Sequence, residues 1–128
     1  MSSPVVEALC RMPAVFKEAG DTTMAALLTV SRYRSDSRVS EADLEAHLKT
    51  HPSLVDAWVE YSDEQRALPA WYLMRPREGS TEDWRVDYLT AREKPREHVF
   101  PDRFAACAFF IMRKVDELLK LTEQERSS

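Results

Sequence analysis

The chain has 128 residues, 44% of them hydrophobic, which suffices for one core and fits the size of a single domain. Lysine and arginine number 18 against 22 acidic residues, a net charge of −4, which argues against a general polyanion binder that gains affinity by neutralising phosphates. No stretch approaches eighteen uncharged apolar residues, and no basic leader precedes an apolar run at the N-terminus. The expectation is therefore a cytoplasmic protein that neither spans a membrane nor binds nucleic acid.

The first half reads as helical. Val5, Leu9 and Met12 recur at helical spacing until Pro13, where a first helix is expected to end. After Gly20, Asp21 is placed to cap a second helix carrying Met24, Leu27, Leu28 and Ser31 on one face. The polar segment RYRSDSR is a loop, and SEADLEAHLKT follows with Ser40 as N-cap and Asp43 at the capping-box position. The next helix starts near Pro52 and turns Leu54, Val55, Trp58 and Val59 inward, while Asp56, Glu60 and Asp63 form an acidic stripe on the opposite face.

From residue 70 the hydrophobic period changes from helical to alternating. AWYLM and WRVDYL are rich in aromatic and β-branched residues, and Pro76 and Gly79 lie between them, so a β-hairpin is predicted. Trp71, Trp84 and Tyr88 are expected to fill the space between this sheet and the last helix. EHVF can add a third strand, and PDRFAACAFFIMRKVDELLKL is the strongest helical pattern in the chain. Its stripe is Phe104, Ala108, Ile111, Met112, Val115, Leu118 and Leu119, which leaves Phe110 among Arg103, Lys114 and Glu117. An aromatic ring there is expected at an interface, against either the N-terminal helices or a second copy of the chain. The fold class is α+β in one domain, residues 1–128. A helical part covers about 1–66, and a small antiparallel meander of two or three strands with a long C-terminal helix packed on it covers about 67–122.

Catalytic chemistry finds little purchase. His47 and His51 are spaced as HxxxH, but Pro52 follows directly and no third ligand stands at a diagnostic spacing, so no metal is expected. His98 and Cys107 could act as base and nucleophile, yet Cys107 lies within AACAFF, where apolar surroundings disfavour a thiolate. Cys10 and Cys107 are expected to be reduced and buried. Arg32, Arg34 and Arg38 around Tyr33 read as a solvated connection. No cofactor and no enzymatic activity are expected.

HPSLVDAWVEYSDEQR, then AWYL, WRVDYL and FPDRFAACAFFIMRKVDEL resemble the layout of small bacterial immunity proteins of polymorphic or contact-dependent toxin systems, over residues 40–120. The resemblance implies a helical front, a Trp/Tyr hairpin and a closing helix, and a partner role: binding one cognate toxin domain and occluding its active site. The expected contacts are the carboxylates Asp56, Glu60, Asp63 and Glu64, the anchors Tyr61, Arg66 and Tyr72, and the interface residue Phe110, with a homodimer left open. The alternatives are an interaction module or chaperone-like adaptor of a secretion pathway and, third, a small-ligand or enzymatic domain.

Overall fold

The computed structural model describes residues 4–31, 33, 39–65, 70–76, 83–90 and 98–127, with the side chains of Ala25, Val30 and residues 121–127 excepted. Arg66 lies outside the described residues. The elements in chain order are α1 (Pro4–Ala19), α2 (Met24–Ser31), α3 (Glu41–Thr50), α4 (Ser53–Glu64), β1 (Ala70–Met74), β2 (Trp84–Leu89), β3 (His98–Phe100) and α5 (Arg103–Ser127). The architecture is α+β, with four N-terminal helices, a three-stranded antiparallel sheet and a long C-terminal helix packed on it. No helix among the described residues is long and apolar enough to cross a membrane.

Pro13 does not end the first helix. Proline inside a helix removes the hydrogen bond to the carbonyl four residues back, but Val6, Leu9, Cys10, Met12 and Pro13 itself are all buried in α1. Trp58 Nε1 donates to the Cys10 carbonyl at 2.9 Å in the same region, so tertiary packing overrides the local penalty. The helix stops at Gly20, whose φ of 73° is open to glycine and whose N–H donates to the Phe16 carbonyl at 3.3 Å.

The second cap also lies elsewhere than expected. α2 begins beyond Asp21, and the Thr23 hydroxyl accepts the Ala26 N–H at 3.0 Å. Its predicted face holds, with Met24, Leu28 and Ser31 buried. The capping box of α3 is present: Ser40 Oγ accepts from the Asp43 N–H at 3.2 Å, and Asp43 Oδ2 accepts from the Ser40 N–H at 3.1 Å. Asp102 Oδ1 accepts the Ala105 N–H at 2.8 Å and starts α5.

The sheet order is β1-β2-β3, with Trp71 opposite Tyr88, Leu73 opposite Val86, and Val86 opposite His98. That register puts Trp71, Leu73, Trp84, Val86, Tyr88, His98 and Phe100 on one face, because side chains alternate along each strand. α5 covers this face. Phe109 meets Phe100, His98 and Trp71 with ring centroids 5.1, 5.0 and 6.1 Å away. The hairpin tryptophans are only half-buried, and Tyr88 is 42% exposed. Trp58 of α4, at 0% exposure, is the large ring that fills the core.

α5 touches every other element of the fold, the sheet on one side and the four helices on the other. A helix enclosed in this way is apolar nearly all round, which explains why Ala106, Cys107, Phe110, Ile111 and Val115 are all buried. Of the two surfaces expected to meet Phe110, the N-terminal helices hold: the ring meets Trp58 of α4 edge-on, centroids 5.8 Å apart, and being fully buried it offers nothing to a partner or a second copy, so its partner-binding role is corrected to core. The one-sided stripe read from the sequence assumed a solvent face that the middle of α5 does not have.

Candidate functional site

A cleft with an apolar wall and an ionic rim lies where the C-terminal halves of α1 and α4 meet. Pro13, Ala14, Phe16, Lys17 and Glu18 of α1 and Ala57, Glu60, Tyr61 and Glu64 of α4 line it, and its volume is about 660 Å³. That lies within the range of roughly 300–1,000 Å³ typical of ligand clefts. Small side chains at Ala14 and Ala57 leave the space open, and the aromatic pair Phe16 and Tyr61 forms an apolar wall, ring centroids 6.5 Å apart and edge-on. Phe16 is 36% exposed, although its chemistry belongs in a core.

The rim is ionic. Lys17 Nζ donates to Glu60 Oε1 at 2.6 Å across the cleft. This hydrogen bond, then the Glu60 charge itself, raises the lysine pKa. Next along α4, Asp63 Oδ2 accepts from Arg75 Nη2 at 3.1 Å. The acidic stripe is therefore partly neutralised within the chain, through cations from α1 and from the residue after β1. Asp56 and Glu64 are exposed, and the Glu64 charge adds a smaller contribution to the raised Lys17 pKa.

Below the wall lies a buried polar group. Lys114 of α5 is 6% exposed; its ammonium donates to Gln65 Oε1, lies 3.6 Å from Glu117 Oε2, and stands 5.7 Å from the Tyr61 ring centroid. Burial lowers the lysine pKa against the opposing pull of Glu117. Burial, aided by the Glu117 charge, pushes the Tyr61 phenol up to about 12. Tyr61 therefore keeps its proton at neutral pH and presents a neutral ring to the cleft.

Three of the expected contact residues, Glu60, Tyr61 and Glu64, come together at this cleft, with Asp56 one turn before Glu60 and Asp63 on the flank. Tyr72 does not join them: its register opposite Asp87 sets it on the sheet face turned away from α5. Sequence reasoning missed Phe16 and Lys17. The signal for them was an apolar residue beside a cation at the end of a helix, beyond the point where Pro13 was taken to stop it.

The remaining candidates are elsewhere. His47 and His51 stack with centroids 4.5 Å apart, and burial, then the His51 charge, lowers the His47 pKa. Among the described residues no group of three or more His, Cys, Asp and Glu side chains converges as a metal site. Cys10 and Cys107 are free and buried; burial pushes the Cys10 thiol up to about 12 and Cys107 well above its ordinary value. A thiol held protonated in this way is a poor nucleophile. Compared with protein-family models, curated proteins and solved structures, the chain matches none.

Proposed function

We propose that the chain is a stoichiometric inhibitor of a protein partner, bound through the outer face of α4 and the cleft beside it. The partner is the toxin of an immunity pair, in keeping with the resemblance over residues 40–120. The observation that carries this reading is a set of acids placed against folding stability. α4 has Asp63 and Glu64 at its C-terminal end and no base in its last turn. The helix macrodipole is already negative there, so cations are the stabilising choice and carboxylates are not. Lys17 and Arg75 offset the crowding only through exposed ion pairs, which contribute little.

Acids in such a position gain their value from a cation outside the chain. A toxin that cuts or modifies nucleic acid presents a cationic cleft to its substrate, and an acidic face that covers the cleft speeds encounter and adds coupling energy where pairs become desolvated. Occlusion needs no reacting group on the inhibitor. Both cysteines, the strongest nucleophiles available, are fully buried.

The test is co-expression of the chain with the product of the neighbouring reading frame. Co-purification in equal amounts with restored growth supports the proposal. Co-purification without any growth effect makes the chain an adaptor, and no complex at all sets the proposal aside.

A further inference from the structure

The α1–α4 cleft already holds one cation, and the chain supplies it. Lys17 leaves the end of α1 and reaches Glu60 with its side chain 71% exposed, and the Glu60 side chain is 46% exposed. An ion pair this open to water is weak and readily exchanged. The residue just before it, Phe16, sets its ring against Tyr61 in the same cleft. Successive residues thus fill two adjoining places, an aromatic ring on the apolar wall and a cation on the carboxylate rim. The rim is still in carboxylate excess, with Glu18, Glu60 and Glu64 against Lys17 alone.

We infer that this cleft receives from the partner an apolar side chain adjacent to a cationic one, and that Lys17 is a built-in competitor displaced from Glu60 by the incoming cation. The inference rests on the cleft being the contact face, and it adds which chemistry is recognised and what must leave. Lys17 acts as an intramolecular placeholder: it shields Glu60 in the free chain and sets a threshold that only a better-placed cation overcomes. A guanidinium is the stronger competitor, since its planar fork bonds a carboxylate through two N–H groups where an ammonium acts as a point charge.

The experiment uses the full ¹⁵N-labelled chain and three probes: acetyl-Phe-Arg-amide, acetyl-Phe-Gln-amide and acetyl-Ala-Arg-amide. The inference expects saturable amide shifts centred on Phe16, Ala57, Glu60 and Tyr61, largest for the Phe-Arg probe. Lys17→Met should tighten that probe by about two- to fivefold, the most an exposed ion pair of this kind withholds. Glu60→Gln should remove the preference for Phe-Arg over Phe-Gln. Both positions are exposed, and an unchanged amide spectrum away from the cleft verifies that each variant is folded.

Equal affinity of wild type and Lys17→Met for Phe-Arg overturns the competitor role and leaves the cleft as the contact face. Absence of saturable shifts in both proteins overturns the cleft as well. Sedimentation of the free chain supplies the remaining outcome: a concentration-dependent dimer lost in Phe16→Asp would assign the cleft to a second copy and overturn the inference.

Discussion

Ser62→Ala removes one oxygen atom and is predicted to be among the most damaging small substitutions in the chain. Ser62 is 1% exposed near the end of α4; its hydroxyl donates to the Leu73 carbonyl at 3.2 Å and accepts the Leu73 N–H at 2.8 Å. Gln65 Nε2 donates to the Trp71 carbonyl at 3.0 Å beside it. In an antiparallel pair alternate residues turn their backbone groups away from the partner strand, so α4 closes the outer edge of β1 with side-chain hydrogen bonds. Alanine would leave a buried donor and a buried acceptor unsatisfied. Each orphaned group costs roughly 1–3 kcal/mol, and the two here sum to about 2–4 kcal/mol because they share one residue and relax together. Against a total stability of about 5–15 kcal/mol, that is a large share. Urea unfolding should show a midpoint lower by about 1–2 M at constant slope, and the Leu73 amide should lose protection from hydrogen exchange. A loss below about 1 kcal/mol with Leu73 still protected would refute the reasoning, since the edge would then be held by something other than this hydroxyl.

Other predictions follow from burial. Phe110→Ala, which empties a fully buried ring from its edge-on contact with Trp58, should cost about 3–5 kcal/mol in urea unfolding without changing the oligomeric mass; a change in association with stability intact would return Phe110 to an interface. Native Cys10 and Cys107 should react with a thiol reagent far more slowly than the unfolded chain, because burial raises both pKa values; fast native labelling would remove the buried assignment. Burial lowers the His47 pKa, so below about 6.5 the unfolded chain takes up a proton that the folded chain resists. Stability should therefore fall as pH drops through that value toward the folded pKa and level off beneath it. His47→Gln should flatten this slope, and an unchanged slope would show that His47 does not carry it.

Local signals were read correctly where a residue's own chemistry decides its structure. The Ser40–Asp43 box, the strand over WRVDYL and the apolar face of α4 needed no tertiary knowledge, although within that strand Asp87 is buried and Tyr88 exposed, against the expected alternation. Signals failed where packing decides. Pro13 is a helix stop in isolation and a buried interior residue in α1, because its neighbours gain more from burial than the missing hydrogen bond costs. Phe110 and Lys114 read as lying off the apolar stripe; both are buried because α5 lies between the sheet and the helices, an enclosure that one helix's periodicity cannot reveal. The acids of α4 were legible as a stripe. Their intramolecular cations were not, since Lys17 lies 43 residues from Glu60 and Arg75 lies 12 residues beyond Asp63, just past β1.

The two ends of α4 give the acidic face a test that stability cannot imitate. Asp56 stands in the first turn of the helix, where a carboxylate meets the positive end of the macrodipole, and Glu64 is the final residue, where it meets the negative end. Asp56→Asn should therefore cost about 0.3–1 kcal/mol, and Glu64→Gln should gain a similar amount. If the face serves only to hold the fold, any effect on a partner should follow those opposite signs. If it steers a cationic partner, both substitutions should slow association, and both should flatten its dependence on salt, since screening acts on the charge and not on the fold. Association rates at two ionic strengths, measured beside unfolding curves for each variant, separate the cases. Slower association for Glu64→Gln despite a more stable fold is the expected result. Rates and salt slopes equal to wild type in both variants would place the contact face away from α4, and with it the value assigned to the cleft.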